Sequence, residues 1–527
     1  MLRARSCLGG MVTAPHHLAA EAGAGVLREG GNAIEAMIAA AATIAVVYPH
    51  MNGIGGDGFW LVSRSGEPPI GIQACGPAAD MADRSFYASQ GETSIPTRGP
   101  RAALTVAGAI AGWAKAKKLA EESGGTLPLS RLLEAAIHHA REGVPVSNSQ
   151  SRLTREKWEE LHTVPGFKEA FAADGIPAEG TILIQQALSQ SLERIAEAGT
   201  DDFYRGDLAR ALAKGLESMG SPLRLADLEA YHASNVAPVQ TDFKFGELYN
   251  MPPPTQGIAS LLILKIFEAL DVQRADGFEH IHALVEATKR AFLLRDAHVG
   301  DPERMGDYWK SWLSSEMIDQ QAAAIDMNRA MPWPPASKPG DTIWMGAVDR
   351  EGNAVSYIQS IFWEFGSGLV VPNTGILWQN RGASFTLEPG PNELAPGRLP
   401  FHTLNPAMAR LDDGTTLAYG TMGGEGQPQT QSAILSRHVF FGQDMQQAVT
   451  APRWLLGRTW GETTTNLKLE SRFDDSLVEQ LRNAGHDVQI VGAFEDKMGH
   501  AGMISMGPDR VIRGATDPRS DGSCAGL

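Results

Sequence analysis

The sequence predicts a layered α/β sandwich with mixed sheets, because helical and strand patterns are unevenly distributed along its 527 residues. Apolar residues recur at helical spacing through most of residues 105–143, 150–235 and 256–330. Short strand-like runs separated by Gly and Pro turns dominate beyond residue 341. Hydrophobic residues make up 43% of the chain, enough to bury a large core, which excludes a disordered protein.

Individual elements follow from local signals. Helices are predicted over residues 18–28 and 32–47, with Gly30-Gly31 as the break between them. Strands are predicted over residues 59–63, 69–74, 342–348 and 353–360, the last two around the turn at 349–352. Residues 331–341 contain four prolines and a glycine, so we expect irregular structure there.

Charge and cysteine content exclude several classes of protein. The formal net charge is −16, so a phosphate backbone is repelled and nucleic-acid binding is not expected. The three cysteines, Cys7, Cys75 and Cys524, are far apart, which argues against a disulfide framework or a zinc site and fits a reducing compartment. Gly and Pro residues interrupt the segment behind Arg3 and Arg5, so no signal peptide is expected. We therefore expect a soluble, cytoplasmic protein.

Two motifs that suggest a cofactor or a metal have simpler interpretations. Gly53–Gly58 fits the dinucleotide pattern G-x-G-x-x-G by letter, but a helix precedes it and a strand follows it, the reverse of the required order. A tight backbone turn is the better interpretation. His280 and His282 are spaced i, i+2 and point to different sides of a helix. We expect neither a cofactor nor a metal.

Thr342 is the first candidate for catalysis. It begins a predicted strand directly after Pro339-Gly340-Asp341, and on this feature alone a threonine at a strand start is ordinarily just a β-former. If the chain is cut before Thr342, one residue carries both a hydroxyl and a free α-amino group. An α-amine has a reference pKa near 7.7–8.0, so it can act as the base for its own hydroxyl near neutral pH.

A glycine-rich segment, Gly420–Gly426, offers a second candidate element. It follows a predicted strand at 417–419 and contains the pair Gly423-Gly424. Paired glycines allow backbone N–H groups to converge on a developing oxyanion. An ordinary glycine-rich loop remains the alternative on this feature alone.

In combination, these segments resemble the γ-glutamyltranspeptidase family of N-terminal-nucleophile hydrolases. The resemblance extends over nearly the whole chain, and its strength lies in the shared order of the blocks. The blocks are residues 30–40, 48–62, 251–257 (MPPPTQG), 292–302, 341–356 (DTIWMGAVDREGNAVS), 365–368, 374–380, 405–408, 423–424 and 515–522. The pattern is closest to the cytoplasmic branch that contains oxamate amidohydrolase and glutathione-hydrolase-like proteins.

The resemblance implies a four-layer αββα sandwich and a precursor that cuts its own Asp341–Thr342 bond. Residues 1–341 then form a large chain and residues 342–527 a small chain, and the two stay associated as a heterodimer in one shared domain. Further dimerisation is left open. Thr342 becomes the nucleophile, Gly423 and Gly424 stabilise the oxyanion, and Ser360 stands where the family has a threonine that hydrogen-bonds the nucleophile.

The chain also departs from the family pattern, mainly where the substrate is bound. The nucleophile block continues Ile343-Trp344 instead of Thr-His, and residues 72–77 lack the arginine of the γ-glutamyl pocket. The remaining departures give the candidate substrate-binding residues, namely Phe362 for an asparagine, Arg381 for a glutamine, Ser384 for an aspartate, and His402-Thr403 for a serine pair.

These departures indicate that the chemistry is kept while recognition of an α-amino acid head is lost. Arg381 favours an anionic group without a neighbouring ammonium, because guanidinium pairs with carboxylate in a bidentate manner. A structural arginine in an internal ion pair is the alternative, and His402 either contacts the ligand or fills the core. We predict an amidohydrolase for a small carboxylate amide of the oxamate type. Glutathione hydrolysis or γ-glutamyl transfer is the second hypothesis, a cephalosporin-type acylase the third, and an unprocessed non-catalytic scaffold the fourth.

Overall fold

Helices alternate with short strands and loops in the first 330 residues, and the predicted helix-rich segments contain most of these helices. The computed structural model describes residues 3–333, 341–457 and 464–527, so residues 334–340 of the proline-rich segment lie outside the described residues. The helices are α1 His17–Arg28, α2 Ala33–Val47, α3 Arg84–Ser89, α4 Ala109–Glu122, α5 Leu129–Glu142, α6 Asn148–Glu156, α7 Trp158–Leu161, α8 Phe167–Phe171, α9 Gln186–Ala198, α10 Asp202–Arg205, α11 Asp207–Met219, α12 Leu225–Ala230, α13 Gly257–Ala269, α14 Phe278–His298, α15 Pro302–Met305, α16 Ser315–Ala323, α17 Gln427–Leu435, α18 Met445–Thr450 and α19 Asp475–Asn483.

Strands are short and concentrate in the second part of the chain. They are β1 Arg5–Cys7, β2 Gly10–Ala14, β3 Asp57–Ser63, β4 Ile70–Ala74, β5 Val144–Pro145, β6 Ile182–Leu183, β7 Ser234–Val236, β8 Val239–Phe243, β9 Gly246–Asn250, β10 Asp341–Asp349, β11 Ala354–Phe362, β12 Val370–Val371, β13 Ile376–Leu377, β14 Ala407–Leu411, β15 Thr416–Thr421, β16 Trp454–Leu456, β17 Leu467–Glu470, β18 Val488–Val491, β19 Ala501–Met506, β20 Ile512–Thr516 and β21 Ser523–Gly526.

Two seven-stranded sheets form the centre of the molecule. One has the order β1-β20-β19-β15-β14-β9-β8 and the other β21-β2-β10-β11-β3-β4-β7, so each combines strands from before and after Asp341. Every pairing within these two sheets is antiparallel, which corrects the prediction of mixed sheets. Several neighbouring strands, such as β10 and β11, are joined by short turns, whereas a parallel neighbour needs a long crossover. A parallel pair occurs in the small sheet β16-β17-β18.

Helices cover the outer face of each large sheet, and apolar side chains fill the space between the sheets. One helical layer, which includes α1, α2, α4, α5 and α9, packs on the sheet that contains β10. On the other side α13, α17 and α18 pack on the sheet that contains β15. Between the sheets, residues such as Phe59, Trp344 and Met408 form a third apolar cluster. The fold is the four-layer αββα sandwich that the resemblance implies.

The predicted core helix α2 begins and ends where the sequence places it. Asn32 caps its N-terminus by accepting from the backbone of Ile34 and Glu35, and Glu35 completes a capping box. All residues of α2 are buried, so the helix predicted over residues 32–47 lies in the core. No helix in the described ranges combines the length and apolar character that crossing a membrane requires.

Side chains on β10 and β11 alternate between two environments. On β10, Ile343 and Met345 contact the helical layer, whereas Trp344 lies between the sheets. On β11, Tyr357 contacts the helical layer and Ile358 lies between the sheets. Because successive side chains on a strand point to opposite faces, Ser360 shares the inter-sheet face with Ile358.

The packing of Trp344 predicts that Gly420→Ala destabilises the protein. A Cβ atom at Gly420 would overlap the Trp344 indole, and overpacking of this kind costs about 1–3 kcal/mol. We expect a lower urea midpoint for this variant. The matched control is Gly25→Ala in α1, where the added carbon meets only Arg131 Nη2 at 3.7 Å and should leave the midpoint unchanged or raised. A parental midpoint for Gly420→Ala would contradict the prediction.

Candidate active site

Thr342 lies at the start of β10 with its hydroxyl directed at β11. Its side chain is buried, and Thr342 Oγ1 donates a hydrogen bond to Ser360 Oγ over 3.3 Å. Ser360 Oγ also accepts from the Phe362 backbone N–H at 2.8 Å. Ser360 therefore contacts the threonine hydroxyl, at the position where the resemblance places a hydrogen-bonding threonine.

The backbone around Thr342 is irregular on both strands. The register between β10 and β11 shifts between Asp341 and Ile343, so β11 bulges there and places Ser360 and Ile361 opposite Thr342. Asp341 is paired with Phe362, whose φ of 82° lies in the left-handed region that a bulky residue rarely adopts. Such conformations cluster at functional sites. The strain faces the peptide bond that joins Asp341 to Thr342.

The Gly423-Gly424 pair provides two backbone donors near this strand. Both glycines have positive φ, 117° and 51°, in the loop that connects β15 to α17. Neither N–H donates a hydrogen bond within the part of the chain that the structure describes. Trp344 of β10 packs directly against Gly420 of β15, so this loop begins beside the strand that carries Thr342. Two free, adjacent N–H groups are what an oxyanion site requires.

Arg381 is fully buried, and its hydrogen-bond partners among the described residues are neutral. Its Nη1 atom donates to Ser384 Oγ over 3.3 Å, and Nη2 donates to Thr403 Oγ1 over 3.1 Å. Among the described side chains no carboxylate forms an ion pair with Arg381, and its Nε atom has no hydrogen-bond partner there. The guanidinium lies over the Phe362 ring, 3.6 Å from its centre. Burial lowers the pKa of Arg381 to about 9, against the opposing charge of Asp57.

The predicted residues Phe362, Arg381, Ser384 and Thr403 therefore form one connected group. Phe362 links this group to Thr342, because it bonds Ser360 through its backbone and stacks on Arg381 through its ring. The internal ion pair considered for Arg381 is not present among the described side chains. An unpaired buried cation is costly, so an anionic ligand is the natural partner.

The His402 side chain bonds Asp57. Its Nε2 atom lies 3.1 Å from Asp57 Oδ2, and its Nδ1 accepts from the Leu404 backbone N–H at 3.4 Å. Because Nδ1 accepts, Nε2 carries the proton and donates it to the carboxylate. Burial, reinforced by the positive charge of Arg381, holds the pKa of His402 well below its usual value. Both ring nitrogens are thus engaged within the protein.

Asp57 is a buried carboxyl that the sequence analysis did not single out. Besides His402, its partners are Gln379 Nε2 and the Gly108 backbone N–H, each 3.0 Å from Oδ1. Burial raises the pKa of Asp57 to about 7, although Arg381 and these hydrogen bonds act in the opposite direction. From the sequence, Gly53–Gly58 is interpreted only as a tight turn. The acidic side chain of Asp57 within this glycine-rich segment was the feature that could have marked it as a candidate site residue.

A cluster of two histidines and a glutamate elsewhere in the protein carries potential metal-ligand atoms, but several of these atoms already form hydrogen bonds with protein groups. His282, Glu286 and His486 place such atoms within 4.8 Å of one another. However, Lys289 Nζ donates to Glu286 Oε1 over 2.6 Å, and His282 Nδ1 lies 2.8 Å from His486 Nε2. A bound cation would have to compete with the lysine ammonium for the same carboxylate. His280, by contrast, contacts Ser436.

The chain is similar to known hydrolases over nearly its whole length. Residues 19–527 match the family model described as gamma-glutamyltranspeptidase. The chain is 50% identical over 520 residues to the oxamate amidohydrolase proenzyme of Klebsiella pneumoniae subsp. pneumoniae, covering 98% of both chains. It is 39% identical to the glutathione hydrolase-like YwrD proenzyme of Bacillus subtilis, again with 98% of both chains covered.

The overall fold has a close counterpart among solved structures. The cephalosporin acylase from Bacillus halodurans superposes with a TM-score of 0.92 at 32% identity, covering 100% of this chain and 97% of that one. These similarities and the αββα architecture agree that the protein is an enzyme of the N-terminal-nucleophile hydrolase type. The chain belongs to the gamma-glutamyltranspeptidase family.

Proposed function

We propose that the protein is a self-cleaving threonine amidohydrolase that acts on a small carboxylate amide of the oxamate type. One observation carries the proposal. A buried threonine hydroxyl and a buried guanidinium without a carboxylate partner among the described side chains are linked through Ser360 and Phe362. The first supplies a nucleophile, and the second supplies a site for an anion.

Maturation begins with attack by Thr342 Oγ1 on the carbonyl carbon of Asp341. The C–N bond to Thr342 breaks, the nitrogen takes a proton, and an ester joins Asp341 to the Thr342 oxygen. Water then hydrolyses this ester to give a chain that ends at Asp341 and a chain of 186 residues that begins with Thr342. The left-handed backbone of Phe362, which pairs with Asp341, supports the proposal that the Asp341–Thr342 bond is predisposed to react.

Turnover uses the same hydroxyl, now with the free α-amine as its base. The amine takes the proton from Oγ1 as the oxygen attacks the amide carbon, and the N–H groups of Gly423 and Gly424 stabilise the oxyanion. Ammonia leaves with the transferred proton, and an acyl ester remains on Thr342. Water hydrolyses that ester. For oxamate the products are oxalate and ammonia.

The substrate preference follows from the charges around Arg381. A substrate carboxylate accepts from its guanidinium, while the Ser384 and Thr403 hydroxyls can rotate to donate as well. A γ-glutamyl group also presents an ammonium, which the guanidinium would repel. Glutathione hydrolysis remains the second candidate, because a 39% identical relative is named glutathione hydrolase-like.

The nucleophile is tested by Thr342→Ala. This variant should remain a single chain without activity, because the lost hydroxyl serves both self-cleavage and turnover. The wild type should separate into two pieces on a denaturing gel. Ser360→Ala is the graded control and should slow cleavage without abolishing it, since it only orients the hydroxyl. Cleavage of purified Thr342→Ala at this bond would show that the hydroxyl is not responsible.

The anion site is tested by kcat/KM for oxamate and for glutathione. The wild type should prefer oxamate by at least about tenfold, and Arg381→Met should lower kcat/KM for oxamate by about 10–100-fold, since a hydrogen bond to a charged group contributes ~1.5–3 kcal/mol. Self-cleavage should persist. The reciprocal variant Ser384→Asp should also weaken oxamate hydrolysis, because it gives Arg381 an internal partner. A wild type that prefers glutathione would favour the second candidate.

The titration of Asp57 predicts how KM depends on pH. The pKa of Asp57 is about 7, so the carboxyl acquires its charge as pH rises through neutrality. The charged Asp57 carboxylate offsets part of the positive charge of Arg381 and therefore weakens its attraction for an anionic substrate. We therefore expect KM for oxamate to rise several-fold between about pH 6 and 8 in the wild type but not in Asp57→Asn. Initial rates of ammonia release measure this, and parallel KM profiles for the two proteins would refute it.

A further inference from the structure

Gln256 connects two parts of the candidate active site, the Gly423-Gly424 turn and the segment that contains Thr403, through one buried side chain. It stands between β9 and α13 and is fully buried. Its Nε2 atom donates to the Gly424 carbonyl over 2.7 Å and to the Thr403 carbonyl over 2.8 Å. Gly424 belongs to the proposed oxyanion site, and Thr403 is a partner of Arg381.

Arg295 determines the orientation of this amide. Arg295 Nη1 lies 2.8 Å from Gln256 Oε1, and because arginine only donates, the atom that faces it must be the oxygen. The NH₂ group then necessarily faces the two carbonyls. Arg295 is itself held by Asp296 at 2.7 Å and by stacking on Phe292. The amide therefore has a fixed direction within a buried network.

The two carbonyls differ in how much they depend on Gln256. Around Thr403 the chain is also held by backbone bonds, since His402 N donates to Pro254 O at 2.8 Å and Gln256 N donates to His402 O at 3.0 Å. Gly424 lies between Gly423 and Glu425, and within the described residues its carbonyl accepts from Gln427 N and from Gln256. The bond to Gln427 is local to the turn. Arg295 Nη2 also lies 3.5 Å from Glu425 Oε2, so Gln256 and its partner Arg295 together connect the turn to the Thr403 segment, and of these two Gln256 bonds Gly424 itself.

We propose that Gln256 is a positioning residue that holds the Gly423-Gly424 turn so that its N–H groups face the reacting carbonyl. The inference rests on the proposed function and deepens it by naming a residue that acts through the oxyanion site. Two glycines with positive φ have wide conformational freedom, so an external bond is needed to keep both N–H groups on one target. Losing this bond should affect the transition state more than substrate binding.

The test is Gln256→Glu, which keeps the shape and the acceptor for Arg295 but removes both donors. We expect kcat on oxamate to fall by about 10–100-fold, below the 10²–10³-fold that follows loss of a direct donor, while KM changes by less than about threefold. Gln256→Met serves as a second variant without an added charge. The matched control is Gln446→Glu, which removes donors to Thr516 O and Thr450 Oγ1 and should leave kcat unchanged.

Rates are measured on the processed, folded fraction of each protein, with oxamate and a γ-glutamyl anilide as the two substrates. A lower thermal midpoint with unchanged kcat in both Gln256 variants would show a purely structural role and overturn the inference. If the wild type hydrolyses only the anilide, the oxamate proposal fails, and the same kcat loss on the anilide still supports Gln256. A wild type that hydrolyses neither overturns both.

Discussion

The antiparallel pairing of β10 with β11 brings the proposed nucleophile, its hydrogen-bond partner and the proposed anion site together. Asp341 faces Phe362 across this pair, and Thr342, opposite a bulge in β11, donates its hydroxyl hydrogen bond to Ser360. Phe362 closes the strand with a left-handed backbone and places its ring under Arg381. Because β10 and β11 are interior strands of their sheet, this arrangement is held from both sides by β2 and β3.

Among the described residues, Arg381 differs from buried arginines such as Arg519 because no carboxylate lies within ion-pair distance of its guanidinium. Arg519, for example, is buried but forms ion pairs with Glu470 and Asp517, and such compensation is usual for interior charges. Arg381 has only neutral hydrogen-bond partners among the described side chains. Asp57 lies close enough to influence its pKa, yet its carboxylate is bonded to His402, Gln379 and Gly108 instead. Among the described residues the fold therefore gives the buried Arg381 guanidinium no carboxylate partner, an arrangement suited to the proposed binding of an anion.

Local patterns predicted much of the fold, and long-range contacts account for most of what they did not. The capped helix α2 and the strand that begins at Asp341 followed from propensities and turn residues close by in the sequence. The chemistry proposed for Thr342 and the αββα layers came from ordered family blocks. Asp57 became visible only in three dimensions, since its partner His402 is 345 positions away. Sheet direction was also missed, because strand composition alone does not distinguish parallel from antiparallel neighbours.

The interleaved strand order has a consequence for the lifetime of a cleaved protein. One sheet combines strands from before Asp341, namely β2, β3, β4 and β7, with the later strands β10, β11 and β21. In the other sheet the early strands β1, β8 and β9 flank the later strands β14, β15, β19 and β20. Once the Asp341–Thr342 bond is cut, the two pieces cannot part without dissolving both sheets. Their persistence then depends on an unfolding barrier, and reassembly becomes a bimolecular event in which exposed strand edges are open to aggregation. Cleavage of this kind would therefore make unfolding of the protein effectively irreversible.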